Sequence, residues 1–302
     1  MQPTVLQFRA MGSPCRIVTD PDAERAAEEI RRLVEYLERC WSRFRYDSEV
    51  SAINRAAGRV TVVSDITYKL IANAVRAHDR TSGWFNPLML NQLMAVGYDR
   101  TWTEARLSPS GPVEPATFET IDIYPTITAV RIPPGTAFDP GGIGKGLAVD
   151  LAIERCQSLG LTMASIELGG DLKVYGKPWF GDRWTVGAAS PFQQSIDTAS
   201  FSFDGGAVTT STTARRRWES GGAVLHHLLD PATGWPSTSD VASVTTCSEL
   251  AWWGEVASKV ALLAGSERAC RTLADLGVPG VVVTADARVL VERRTSRTEV
   301  PV

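Results

Sequence analysis

Near the start of the chain, apolar and polar positions alternate along "VLQFRA" and again along "SPCRIVTD", on either side of a Met-Gly pair. A period of two interrupted by a turn dipeptide predicts two short strands joined at Met11-Gly12. The period then changes. In "DPDAERAAEEIRRLVEYLERCWSRF", Ala26, Ile30, Leu33, Leu37, Trp41 and Phe44 recur at the spacing of one helix face. Asp20 is placed to cap this helix and Pro21 to occupy its first turn. A second helix is expected from a Ser64 cap through Leu70, Ile71, Ala74 and Val75, ending before Gly83. Residues 100–137 carry many Pro, Thr and Ser, with short alternating stretches such as "AVRIP", and read as strands and loops.

Downstream, "GLAVDLAIERCQSLGL" predicts a third helix stopped by Gly160. The stretches "ASIELGGDLKVYG" and "RWTVGAA" predict strands with glycine turns. Two late helices, "ELAWWGEVASKVALLAG" and "SERACRTLADLG", each close on a glycine in the C′ position. "GVVVTADARVLVE" predicts a final hairpin, and residues 293–302 a frayed tail. Strands cluster between helices instead of alternating with them, which predicts α+β over a doubly wound sheet. No internal repeat or low-complexity linker divides the chain.

Composition narrows the function classes. The 302 residues allow one large domain or two closely packed halves, and 44% hydrophobic with 22% charged residues describes an ordinary globular core. A net charge of -3 gives no global electrostatic case for nucleic acid or an anionic membrane. The five cysteines show no C-x-x-C pair and no metal-ligand spacing, so buried thiols in a reducing compartment are expected. The start "MQPTVLQFRAMG" has no basic region followed by a long apolar core, and no segment reaches the apolar length of a membrane span. The expectation is a soluble, cytoplasmic protein without membrane insertion.

Three stretches offer chemistry. In "FDPGGIGKGLAVD", Asp139 stands where a P-loop needs its first glycine, and Gly146 where it needs a hydroxyl; the third glycine also comes too early for a dinucleotide fingerprint. The physics of anion binding remains: glycines that let backbone amides approach a ligand, a helix dipole, and the full charge of Lys145. Asp139 adds an acceptor for a hydroxyl, an amide or a ring N–H. The same glycines would also serve a plain helix-entry loop with Lys145 solvated. In "HHLLDPATGWP", His226 and His227 lie on an extended segment and point to opposite faces, which argues against joint chelation. One of them with Asp230 would make a base and its orienting carboxylate. A hydrogen-bonded histidine ahead of a D-P-x-x-G turn fits equally well. In "VTTSTTARRRW", hydroxyls and guanidinium groups suit phosphate oxygens, or the arginines simply face water. His78 suits capping or packing, and Trp252 and Trp253 suit the core or a groove wall. Neither H-E-x-x-H nor G-x-S-x-G is present.

Taken in order, seven segments over residues 9–265 resemble the ApbE family of FAD:protein FMN transferases. "RAMGSPCRI" resembles its Met-Gly-Thr turn, with Ser13 for threonine. "WSRFRYDSEVSAIN" resembles its S-x-F-x-x-x-S-E segment through Ser42, Phe44, Ser48, Glu49, Ser51 and Asn54. "TSGWFNPLM" resembles the G-A-F-D-P-T turn, and "FDPGGIGKGLAVD" the L-D-L-G-G-I-A-K-G-Y-A-V-D block. "IELGGDLKVYG" resembles the Gly-Gly-Asp strand pair, "VTTSTTARRRW" the A-T-S-G block, and "HHLLDPATGWP" the H-x-I-D-P-x-T-G-x-P block.

The resemblance implies an α+β, T-fold-related fold with mixed or antiparallel sheets packed against helices, as one domain over residues 1–292. It implies FAD as substrate, Mg²⁺ at its pyrophosphate, and transfer of FMN through a phosphoester bond to a Thr or Ser of a target flavoprotein, releasing AMP. By similarity, Asp139 and Lys145 contact FAD, and Met11 with the turn Trp84-Phe85-Asn86 lines the flavin pocket. The backbone at Gly142 sits beside the metal, and His227 is the base for the attacking hydroxyl. Departures accompany the match: Asn86 for an aspartate, Thr212 for a glycine, and Glu255 and Lys259 for the aspartate and threonine that give oxygens to Mg²⁺. A glutamate can ligate Mg²⁺; an ammonium cannot. Lys259 then pairs with Glu255 or meets the pyrophosphate, or the metal site is displaced. FAD hydrolysis to FMN and AMP, or FAD binding without catalysis, are the rival readings.

Overall fold

A computed structural model of the protein describes residues 2–99, 120–193, 195–220 and 222–293. Its helices are α1 (Glu24–Trp41), α2 (Glu49–Arg55), α3 (Asp65–Arg80), α4 (Leu90–Ala95), α5 (Gly144–Ser158), α6 (Ala251–Ala264) and α7 (Ser266–Leu276). The chain forms two compact units. The first takes the chain up to Tyr36, Lys145–Ala214, and the chain from Ser239 onward; the second takes Leu37–Gly144 and Arg215–Thr238.

The first unit is built on one eight-stranded sheet. In spatial order its strands are Thr4–Ala10, Ser13–Thr19, Ala164–Leu168, Asp171–Tyr175, Gly206–Thr212, Val241–Ser248, Gly280–Thr284 and Val289–Glu292. Every neighbouring pair is antiparallel. Strand alternation sorts the side chains onto two faces. Val174, Val208, Cys247, Val281 and Val283 join a core with Trp184, Phe201 and Phe203 of the hairpin Trp184–Ala189/Asp197–Phe203. The intervening Thr209, Ser211 and Thr246 face α6, where Ser211 Oγ pairs with Ser258 Oγ at 2.8 Å and Thr246 Oγ1 donates to the Gly254 carbonyl at 3.1 Å.

The second unit holds α2, α3, α4, a three-stranded sheet with Ala129–Arg131 between Thr61–Val62 and Asp122–Tyr124, and the hairpin Arg217–Ser220/Ala223–His226. Met89, Leu93, Val96, Tyr98 and Leu229 form a small core with Trp218 against it. Ser48 and Ser64 cap α2 and α3 through the amides of Ser51 and Thr67. Glu49 in turn accepts from the Ser64 amide at 3.0 Å and from its hydroxyl at 2.7 Å, tying the two helix starts together.

Most predicted elements form, including the α+β arrangement. The first helix needs correction. It begins at Glu24, because Asp22 takes a left-handed conformation (φ 57°) that separates Asp20 from the helix. Asp20 instead accepts from the Thr162 amide at 2.6 Å. The buried stripe of α1 is Ala27, Ile30, Val34, Leu37 and Trp41, one position on from the expected Ala26 and Leu33, and Phe44 lies beyond the helix, exposed. Gly265 ends α6 and starts α7 at a positive φ (φ 78°, ψ 162°) that side chains rarely adopt, whereas Gly277 closes α7 left-handed. The loop reading over residues 100–119 and the tail reading over residues 294–302 lie outside the described residues. All five cysteines are free thiols, four of them buried. Among the described residues, no helix is long and apolar enough to cross a membrane.

Candidate functional site

The glycine segment leads along the chain from Asp139 in the second unit to Lys145 in the first. Gly142 adopts φ +147°, a conformation that side chains rarely take, and this lets the chain fold back on Pro140. The amides of Gly142, Ile143 and Gly144 all donate to the Pro140 carbonyl, at 2.9, 3.2 and 2.8 Å. The Gly141 amide donates to Asp139 Oδ2 at 3.1 Å. These amides satisfy groups of the segment itself. Gly146 has a different reason to be glycine. A Cβ there would lie 2.6 Å from the Ala251 carbonyl carbon and oxygen, so α5 and α6 approach too closely for any side chain.

The anion at the start of α5 belongs to the protein. Glu255, buried on α6, accepts from the Gly146 amide through Oε2 at 2.8 Å and from Lys145 Nζ through Oε1 at 3.0 Å. Lys145 Nζ also bonds Asp171 Oδ2. Burial works against the ammonium, but the two carboxylates overcome it and hold Lys145 above the ordinary lysine range. Asp171, buried at the start of its strand, is pushed up to about 6, first by desolvation and further by the Glu255 carboxylate. The turn that carries Met11 adjoins this group. A Cβ on Gly169 would lie 2.5 Å from Ser13 Oγ and 3.6 Å from Lys145 Cδ.

Asp150 mirrors Glu255 and was missed by the sequence reading. It lies on α5, buried, and accepts at Oδ1 from the Ala251 amide (3.1 Å) and at Oδ2 from the Trp252 amide (3.0 Å). These are first-turn amides of α6, whose own N-cap Leu250 makes no side-chain cap bond. Lys173 Nζ balances Asp150 at 2.6 Å. The available signal was an aspartate inside the apolar run of α5, and a lysine two positions after Asp171 on the same strand face.

A resident Mg²⁺ asks for several oxygen ligands in near-octahedral geometry. Here both oxygens of Glu255 already accept protein donors, an ammonium stands between Glu255 and Asp171, and Lys259 brings no oxygen. These residues do not fit the ion at the Glu255–Lys259 position.

In the second unit, Arg43 Nε, itself almost wholly buried, pairs with Asp139 Oδ1 at 3.1 Å, so both Asp139 oxygens are held from opposite sides. Arg43 also donates to the Tyr98 carbonyl at 2.9 Å and lies over the Phe44 and Tyr98 rings, at 4.2 and 4.6 Å from their centroids. Asn54 fixes the preceding residue, donating to the Phe138 carbonyl at 3.0 Å and accepting from its amide at 2.8 Å. The Asp139 amide donates to the Pro87 carbonyl at 2.9 Å, which sets Asp139 beside the turn Trp84-Phe85-Asn86. Asn86 Oδ1 accepts from the Leu88 amide at 2.8 Å, a turn bond that an aspartate oxygen would equally make. Phe85 is buried, and Trp84 and Asn86 are half-buried.

The two histidines divide the readings between them. His226 is buried; its Nε2 meets the Ser237 carbonyl at 3.0 Å and its Nδ1 accepts from the Leu228 amide at 3.3 Å. Desolvation holds its pKa below the ordinary histidine value. It is the hydrogen-bonded histidine ahead of the turn. That turn closes through Gly234 N to the Asp230 carbonyl at 2.8 Å, while Asp230 Oδ1 takes the Ala232 amide at 2.8 Å. His227, the next residue, is half-buried. The hydroxyl run is an interior strand: Thr209 pairs with Thr246 at 2.9 Å and Thr210 with Thr245 at 3.0 Å. Thr212 Oγ1 donates to the Ala242 carbonyl at 2.9 Å. Arg215 and Arg217 face water, as the solvated reading expects.

A profile of the ApbE family matches residues 11–282. A protein of Klebsiella pneumoniae named FAD:protein FMN transferase is 30% identical over 273 residues, covering 87% of this chain and 83% of its own length. A Treponema pallidum protein of the same name is 28% identical, covering 92% of this chain and 84% of its own. The crystal structure of the ApbE protein of Thermotoga maritima superposes with a TM-score of 0.88 at 25% identity, covering 97% of each chain.

Proposed function

We propose that this chain, which belongs to the ApbE family, transfers FMN from FAD to a serine or threonine hydroxyl of a target flavoprotein and releases AMP. One observation carries the reading. The family match spans residues 11–282 without leaving out any of the segments that hold Asp139, Lys145, His227 and Glu255. Relatives that cover over four-fifths of the chain bear the name FAD:protein FMN transferase.

The chemistry is an in-line displacement: the acceptor oxygen bonds to the FMN phosphorus while the bond to the AMP oxygen breaks. Such a transfer depends on positioning and charge neutralisation more than on covalent help. His227 takes the proton of the attacking hydroxyl. Asp139, held by Arg43 and by the Gly141 amide, offers a fixed acceptor to FAD. Met11 and the turn Trp84-Phe85-Asn86 supply apolar and polar edges for the flavin. Lys145 places positive charge by the pyrophosphate. Mg²⁺, in the reading drawn from the resemblance, would add charge neutralisation there with Gly142 and Glu255 as ligands; the donor set of Glu255 does not favour it, and no step depends on it. Residues 1–292 serve as one functional domain. A cytoplasmic location fits the five free thiols.

The test is to incubate the purified chain with FAD and a flavoprotein domain bearing a Ser/Thr acceptor, then follow AMP, free FMN and flavin-labelled protein by chromatography. Labelled protein with equimolar AMP is the expected result. Free FMN with AMP would replace the transferase by a hydrolase. FAD bound and intact beside a competent acceptor would reduce the chain to a flavin binder.

A further inference from the structure

We infer that Arg215, Arg216 and Arg217 form a docking surface for the acceptor protein and select a segment that carries carboxylates close to its Ser/Thr hydroxyl. The inference deepens the flavin transferase reading and rests on it.

The three arginines lead into the hairpin that ends at the candidate base. Arg217 pairs with His226 across that hairpin, so Arg216 comes just past the last pair, on the side where His227 follows. Arg216 takes a left-handed conformation (φ 50°), uncommon away from glycine. Trp218 packs against the core of Met89, Leu93 and Leu229, its ring centroid 6.2 Å from that of Tyr98. Strand alternation turns Arg217 and Glu219 to the opposite face, where both are exposed.

What sets the run apart is its unmatched charge. Arg31, Arg45, Arg131, Arg155, Arg183 and Arg288 each bond a carboxylate. Among the described residues, no carboxylate bonds Arg215, Arg216 or Arg217, and the single charge of Glu219 offsets only part of theirs. In a chain of net charge -3 this is a local positive surface, beside the residue that would take the proton of the acceptor hydroxyl. The substrate that must reach His227 is the acceptor, so the acceptor is what these arginines meet. Guanidinium groups pair with carboxylates through two parallel hydrogen bonds. An exposed surface of this kind steers an oppositely charged protein and fixes its register.

The experiment uses the flavoprotein acceptor domain in two forms, one with aspartates beside the hydroxyl and one with asparagines in their place. Acceptor KM, kcat and FAD affinity are measured at low and high salt. At low salt, wild type should favour the acidic form in KM by about tenfold, the scale of three exposed ion pairs acting together, and lose the preference at high salt. The triple variant Arg215→Gln/Arg216→Asn/Arg217→Gln should show equal KM for the two forms with FAD affinity kept; asparagine tolerates the left-handed turn. The single change Arg217→Glu, at an exposed position, should shift the preference toward a form with lysines beside the hydroxyl. Equal KM for the two forms in wild type, or a preference that survives in the triple variant, would overturn the inference. So would a loss of FAD affinity in the triple variant, which would assign the arginines to the phosphates of the dinucleotide. If wild type labels neither form with flavin, the transferase reading itself falls, and the inference with it.

Discussion

Asp150 and Glu255 each cap the helix that carries the other: Asp150 on α5 holds the Ala251 and Trp252 amides, and Glu255 on α6 holds the Gly146 amide. Each carboxylate is balanced by a lysine, Asp150 by Lys173 and Glu255 by Lys145. The arrangement satisfies first-turn amides at both helix starts, at α6 where the N-cap Leu250 makes no side-chain cap bond, and it locks the two helices in register.

Asp150→Ala should therefore be among the most damaging single changes. It leaves two α6 amides without their acceptor and the Lys173 ammonium without its counter-charge. The expected loss is about 3–5 kcal/mol in urea unfolding, the scale of breaking a buried ion pair by removing one partner. A loss below about 1 kcal/mol would mean that water replaces the carboxylate, and that the reciprocal cap contributes little.

Gly146→Ala tests the close approach of α5 and α6. The new methyl would sit 2.6 Å from the Ala251 carbonyl, which is backbone and cannot rotate away. Overpacking of this kind costs about 1–3 kcal/mol, so the melting temperature should fall by several degrees. An unchanged or raised melting temperature, as helix propensity alone would give, would contradict the packing described.

His226 gives a pH signature. Its folded pKa is depressed by burial, so the unfolded chain takes up the proton first as pH falls through about 6.5. The stability it confers is complete above that value and lost below it. Between pH of about 7.5 and 5.5, wild type should lose stability more steeply than His226→Gln, the excess slope approaching at most about 1.4 kcal/mol per pH unit. Parallel slopes would show that His226 is not held neutral.

The two residues assigned to substrate handling should separate kinetically. His227→Gln should lower kcat by about 10²- to 10⁴-fold with FAD affinity kept, the usual span for a lost general base. Arg43→Ala should act mainly on FAD binding, by freeing the Asp139 carboxylate, with Arg43→Lys recovering part of it. A kcat loss in Arg43→Ala with unchanged FAD affinity would argue against the positioning role.

Periodic elements were legible because their signals are local. The Met11-Gly12 hairpin, the Ser64-capped α3 and the α6–α7 pair all announce themselves by spacing and terminal residues. The start of α1 was misread since a left-handed Asp22 leaves no mark in the apolar pattern. At the site, the sequence located Lys145 and Glu255 but not their bond. Glu255 and the Gly146 amide are 109 residues apart, and no periodicity reports a contact across that distance. The same holds for Asn54 and Phe138, 84 residues apart. The glycine segment hides its bonds for a related reason: its amides find the Pro140 carbonyl only once Gly142 turns the chain back.

The strand order of the large sheet has a consequence for biosynthesis. The hairpin Thr4–Thr19 leaves the ribosome well before the strand that covers its inner edge, Ala164–Leu168, which follows only after the whole of Leu37–Gly144. During translation a bare hairpin edge must wait in the cell, open to pairing with other nascent chains. Yield in a host should therefore depend on elongation speed and chaperone supply more than the stability of the finished protein would suggest.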